Sequence, residues 1–413
     1  MLIILLVLTL DEDGKPQTCS ADQTDKKIHW IEARQGIPKS HTDCRKDGKH
    51  LCGIICACSN SSDPYYQVDA MITYQETETP DTLKGEFVLY DSLNNVSGIE
   101  SVDSFVVIMR NAYKGLFSVM NSNSDSLLAQ FGEIGHASNE ILTPTDICQF
   151  THDANGNIIM CVQDFERRSI IQFNLNKAIT QNRIESCSRT KYDVEDYNIP
   201  LYRCFSLGGN GYLVHQSLSN EGDARDPFSI APKVKIKQGG NEVNISFYPS
   251  LISEDSQYML HAYTLMPRIK PDITKFVEAH GLLNLFTIID LQTHKTIGVR
   301  GKNSYGFDHM RKVGEESDEQ KKYSKLIIYN TYCNVSDKYI FLSQDGKTTM
   351  DKLEDVINYK PRVSVFDWDG NLVYSFATRE PLMRIAYNEA TKHIYGLASN
   401  YNIYKYDLSE HLK

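Results

Sequence analysis

Apolar positions in this chain gather into short β-rich runs set off by acidic or Asn-bearing turns, and six such runs recur in one arrangement. They read "SFVVIMRN" (104–111), "NIIMCVQD" (157–164), "GYLVHQSL" (211–218), "QYMLHAYT" (257–264), "KYIFLSQD" (338–345) and "HIYGLASN" (393–400). Each is followed by a partner run: "GLFSVMN", "SIIQFNL", "KVKIKQG", "LFTIIDL", "RVSVFDW" and "NIYKYDL". Five of the six continue through a polar turn into a further strand, as in "RVSVFDWDGNLVYSFA", where Asp369-Gly370 is a strong hairpin signal. A strand also precedes the first run of a unit, for instance "TDICQFTH", "IPLYRCFS", "LIIYNTYC" and "LMRIAYNE". The pattern therefore predicts four antiparallel strands per unit.

Six four-stranded units at a spacing of about fifty residues predict radial repetition, because a single open sheet of that many strands would curl or split. The expected fold is all-β, a six-bladed β-propeller over 84–413. The sixth unit runs out after Leu408 without an outer strand, while "KGEFVLYDS" (84–92) has no hairpin partner of its own. Pairing the N-terminal strand with the last blade closes the ring and hides its edge. Short helical insertions are expected at "IKPDITKFVEAHGLLN", with Ile273, Phe276, Val277 and Leu283 at helical spacing, and at "TMDKLEDVINY", with Met350, Leu353, Val356 and Ile357. Residues 21–83 carry no blade pattern and stay unassigned.

The C-terminal "RVSVFDWDGNLVYSF", followed by "IAYNEATKHIYGLASNYNIYKYDL", resembles the TolB-like six-bladed propeller proteins exported by Bacteroidetes. "GEFVLYDSLNNVSGIESVDSFVVI" and "FGEIGHASNE" are similar to that family's first blade. The resemblance spans roughly 84–408 and implies architecture and export more than chemistry. The sequence departs from the family at Ala137-Ser138, where Gly-Pro is usual, and in lacking a lipobox.

A net charge of -10, from 43 Lys+Arg against 53 Asp+Glu, with no dense basic run, argues against nucleic acid and against an anionic membrane surface as partners. "MLIILLVLTL" at residues 1–10 is too short to span a bilayer, which takes roughly 20 residues, and reads as the apolar part of a signal segment over 1–20; a buried strand is the alternative. Export to the periplasm or cell envelope is the expectation. Pro16-Gln17-Thr18 before Cys19 leaves lipid anchoring unsupported. Cys44, Cys52, Cys56 and Cys58 do not have the paired spacing of a zinc site; one disulfide from Cys44 to one of the others, unpaired thiols, and metal binding of another kind are the readings left open. Cys148, Cys161, Cys204 and Cys333 sit in strand-like runs and read as small buried hydrophobes.

No HExxH, GxSxG, Walker A, GxGxxG or EF-hand pattern is present. With the first runs aligned, His215 and His261 share one register in consecutive blades, a pair that could hold a divalent metal or simply fill an inter-blade gap. Asp146, Arg203, Asn330 and Arg384 lie in or beside the innermost strands, which line the channel, and are ligand-binding candidates. So are His136 and Glu140 in "HASNE", a stretch expected to connect blades one and two. The expected function is an exported, non-enzymatic scaffold that binds a protein partner or an envelope glycan and needs no cofactor. The alternative is a propeller hydrolase or lyase, metal-dependent through His215 and His261, acting on a sugar or lactone.

Overall fold

The computed structural model describes residues 66–77, 79–89, 96–193, 202–216, 233–246, 265–348, 362–380 and 382–412. They form six sheets in chain order, each beginning with a strand at the ring axis. Blade one comprises Val96–Val102, Phe105–Arg110, Lys114–Asn121 and Leu127–Glu133. Blade two follows with Pro144–His152, Ile158–Asp164, Ser169–Asn174 and Ser188–Lys191, and blade three with Tyr202–Gly208, Gly211–Gln216, Lys233–Gln238 and Asn241–Ile245. Blade four is Leu265–Ile269, Lys275–His280, Leu285–Asp290 and Thr296–Gly301; blade five is Ile327–Val335, Tyr339–Thr348, Arg362–Asp367 and Leu372–Thr378. Blade six has Leu382–Asn388, His393–Ala398 and Ile403–Asp407, and its fourth strand is the N-terminal Glu86–Leu89. The antiparallel pairing of Lys405 with Glu86 and of Ile403 with Leu89 is the closure that the missing outer strand predicts.

Two further strands precede the closure and were not anticipated. Ala70–Tyr74 pairs in parallel with Thr296–Gly301 at the rim of blade four, and Asp81–Leu83 pairs in parallel with Leu372–Thr378 at the rim of blade five. The N-terminal segment thus runs around the outside of three consecutive blades. Its anchor is Tyr66, which is 2% exposed, stacks on Phe307 at 5.7 Å and shares a 2.7 Å hydrogen bond with Thr287. Burying one such aromatic side chain contributes on the order of 2 kcal/mol.

Blade four departs from the sequence expectation. Lys275–His280 is its second strand, where a helix was expected, and residues 257–264, expected to fill that role, lie outside the described residues. The misleading signal has a physical origin. This strand is packed between blades on both sides, so Phe276, Val277, Glu278, Ala279 and His280 are all buried and no alternation marks it as β. Asp272 shapes the preceding turn by accepting from the Thr274 amide at 2.9 Å, with Ile273 at φ 62°. The helical pattern at 349–359 lies outside the described residues; the short helices that are described include Leu175–Gln181, Phe307–Gly314 and Glu319–Lys325. Among the described residues no helix is long and apolar enough to cross a membrane.

Each seam between neighbouring blades combines apolar packing with a polar latch. Asp103 meets His152 at 3.0 Å between blades one and two, and Gln149 exchanges two hydrogen bonds with the Ser206 backbone between two and three. His215 pairs with Glu278 between three and four. Lys275 donates to the Trp368 carbonyl at 2.8 Å between four and five, Asn334 accepts from the Tyr387 amide at 3.0 Å between five and six, and Asn388 donates to Ser101 at 2.7 Å across the closing seam. The buried ones, Gln149–Ser206, His215–Glu278 and Asn334–Tyr387, are costly to break and hold their blades in one relative register, whereas Asp103–His152 is half exposed.

Candidate functional site

Strand side chains alternate, so one residue in two on each innermost strand is directed to the axis. Near the start of their strands stand Asp146 in blade two, Arg203 in blade three and Arg384 in blade six. Arg268 joins them from blade four, Tyr332 from blade five and Glu100 from blade one. All six blades therefore contribute a polar side chain to one axial cluster.

Arg268 is its hub. One of its terminal nitrogens, Nη1, lies 3.5 Å from Asp146 Oδ2 and donates to the Pro267 carbonyl at 3.0 Å. The other, Nη2, lies 3.6 Å from Glu100 Oε1 and donates to the Tyr332 hydroxyl at 3.1 Å. That hydroxyl donates in turn to Glu100 Oε1 at 3.1 Å, and Asn334 donates to Glu100 Oε2 at 2.8 Å. Arg203 Nε is 3.7 Å from Asp146 Oδ2. At 3.5–3.7 Å the ion pairs are Coulombic contacts, longer than the charge-assisted hydrogen bonds of about 2.7–2.9 Å that a closed salt bridge makes. Arg268 and Arg384 both lie over the Tyr332 ring, at 5.2 and 5.5 Å from its centroid.

Charge in this cluster is set by burial and by the arginines together. Burial alone would raise the Asp146 carboxyl, but Arg268, Arg203 and Arg384 outweigh it and hold Asp146 below the ordinary carboxylate range. For Glu100 burial wins: it pushes the carboxyl up to about 7, against the pull of Arg268 and with Asp146 adding to the rise. Burial likewise raises the Tyr332 phenol and keeps it protonated as a donor.

The other residues singled out from sequence stand elsewhere. Asn330 is buried in the seam between blades four and five, donating to the His280 carbonyl at 2.6 Å and the Leu283 carbonyl at 3.3 Å, and accepting from Gln344 at 3.3 Å. The loop from blade one to blade two does contain His136 and Glu140, as expected. His136 is exposed. Glu140 closes its own loop by accepting from the Ala137 amide at 2.9 Å, while its carbonyl accepts from Arg167 at 2.7 Å. Arg167 and Arg189 hold that loop to Asp164, whose carboxylate also accepts from the Leu142 and Thr143 amides. His215 is fully buried, with Nε2 engaged by Glu278. The shared histidine register falls away with the strand it relied on: blade four's second strand is Lys275–His280, and His261 lies outside the described residues. No group of three or more His, Cys, Asp or Glu side chains suited to a metal occurs among the described residues. Cys148, Cys161, Cys204 and Cys333 are buried and free, their thiols pushed up by burial, and the four-cysteine cluster at 44–58 lies outside the described residues.

Sequence reasoning missed Arg268, Glu100 and Tyr332. For Arg268 a signal existed: Asp146-Ile147, Arg203-Cys204, Arg268-Ile269 and Arg384-Ile385 are all charged-apolar pairs in innermost strands. Glu100 and Tyr332 sit farther along their strands and break that frame.

No family model and no curated protein matches the chain. Several solved structures are similar to it at low identity. A Bacteroides fragilis protein described as exported is 12% identical, with a TM-score of 0.49 over 81% of this chain and 98% of that one. A member of the DUF4221 family from Bacteroides vulgatus is 9% identical, with a TM-score of 0.46 over 81% and 96% of the two chains. Regucalcin from Agrobacterium tumefaciens, a calcium-binding protein, is 8% identical, with a TM-score of 0.39 over 80% and 95%.

Proposed function

We propose that this chain is an exported, non-enzymatic binding propeller that receives its ligand, part of a protein partner or of an envelope glycan, at the end of the ring where the innermost strands begin. The observation that carries this reading is the convergence of Asp146, Arg203, Arg268 and Arg384, from four blades, on one axial cluster. A packed propeller has no structural need for three guanidinium groups at its axis, since desolvating each charge costs several kcal/mol that apolar residues would not incur. Arg203 keeps 23% of its side chain exposed, so the cluster reaches solvent. The apolar run at 1–10 and the resemblance to exported propellers support export.

A binding screen of glycans and peptides against the full chain and Arg203→Gln tests the reading. Ligands retained by the parent and lost by the variant, without turnover, are the expected result. Binding that ignores Arg203, or turnover of a sugar or lactone dependent on a stoichiometric divalent metal, would overturn it in favour of an enzyme.

A further inference from the structure

Arg384 is 7% exposed, and among the described residues its guanidinium makes no hydrogen bond; the Asp146 and Glu100 carboxylates act on it only as charges at longer range. The guanidinium lies over the face of Tyr332, an arrangement that engages its π-surface and leaves its N–H edge free to donate. Arg268 Nε is also buried without a partner. So is the Nε of Arg110, which ends the second strand of blade one opposite Val96, at the same end of the ring. Donors of this kind are rare in folded interiors, because each costs its full desolvation.

Gly98 of blade one stands beside Arg384, and a Cβ at that position would lie 3.9 Å from Arg384 Nη1 and 3.4 Å from the Met109 Cβ. The planar fork of an arginine edge matches a planar anion with two oxygens.

We propose that Arg384, with Arg268 behind it, forms a carboxylate-binding subsite at the axial mouth, and that the ligand presents a carboxylate to it. This rests on the reading that the mouth is the binding site, and deepens it by naming the group bound. The carboxylate can come from a uronic acid or from a peptide C-terminus.

Calorimetric titration of the full chain at low salt with sodium glucuronate, N-acetylalanine, inorganic phosphate and methyl glucoside separates these cases. Saturable binding of at least one of the two carboxylates is expected, with the better one identifying the source. Arg384→Gln should weaken it tenfold or more. Because that variant can fail through folding, Gly98→Asp serves as the second: it supplies a carboxylate beside Arg384 from within the chain and should abolish binding while leaving the melting temperature equal or higher. Undiminished carboxylate binding in a folded variant, tighter binding of phosphate, or no carboxylate binding at all would overturn the assignment. A neutral glycan or peptide captured through Arg203 in the screen would then leave the broader reading standing, whereas capture of nothing would remove both.

Discussion

Arg268 of blade four lies 3.5 Å from the carboxylate of Asp146 in blade two, reaching past the innermost strand of the blade between them. This contact joins non-adjacent blades, so it constrains the ring as a whole as well as charging its axis. Replacing Arg268 with Met should leave Asp146 and Glu100 buried with less compensation. A loss of about 3–5 kcal/mol in urea unfolding is expected, the cost of breaking a buried pair from one side. A loss below about 1 kcal/mol would mean the pair is effectively solvated.

The two carboxylates at the axis should respond to pH in opposite senses. Glu100 is raised to about 7 from an ordinary 4.5, so its contribution to stability is full below about 4.5 and is lost as pH rises through about 7. The difference is on the order of 3 kcal/mol at most, reduced by the solvent that reaches its side chain. Asp146 is depressed, so its contribution is present above its ordinary range and is lost as pH falls through its lowered pKa. Chemical unfolding at pH 8, 6 and 5 should show stability rising between 8 and 5. In Glu100→Gln that rise should flatten; an unchanged pH profile would assign it to other groups.

Ligand binding should follow the same titration. Protonating Glu100 below about 7 removes one negative charge facing Arg268, Asp146, Tyr332 and Arg384, so an anion should bind more tightly at pH 6 than at pH 8. Glu100→Gln should bind at pH 8 as the parent does at pH 6. Affinity that is flat across this range would place the anion away from Glu100.

The N-terminal segment makes a separate prediction. A chain beginning at residue 93 loses Glu86–Leu89 and with it the closure of blade six, and should aggregate through the exposed edge. From sequence alone, removing 11–70 looks far milder, because no blade pattern appears there. The structure makes it costly, since Tyr66 and the first residue of the parallel strand at 70–74 would go. The milder probe is Gly298→Ala, whose new Cβ would stand 2.8 Å from the Tyr66 hydroxyl and displace it. A loss of about 1–3 kcal/mol by thermal melting is expected for such overpacking. An unaltered melt would show that Tyr66 anchors nothing.

How much of this could be read from sequence depended on packing. Blades one, two, five and six announce themselves through turns such as "DANGN" and "DWDGN", where Asp153 and Asp367 accept from amides two and four residues on. The closing strand was legible because blade six visibly lacks a partner after Tyr406-Asp407-Leu408. The strand at Lys275–His280 was not, because burial on both faces erased its alternation. Ala70–Tyr74 and Asp81–Leu83 are single short strands with no hairpin turn, and parallel pairing leaves no local mark. Asp146, Arg203 and Arg384 were legible as charged residues in strands otherwise built of apolar ones. That Asn330 serves a seam while these three meet at the axis depends on the bulges beside Asn330, which shift its register and which no spacing rule discloses.

The measurement that bears most directly on a binding site at the ring axis is the affinity of the best ligand from the screen for the parent, Arg203→Gln and Arg384→Gln, each checked for an unchanged melt. The account predicts a loss of tenfold or more in both variants, about 1.4 kcal/mol or greater. Equal affinity in all three folded proteins would contradict it and return the axial cluster to a purely structural role.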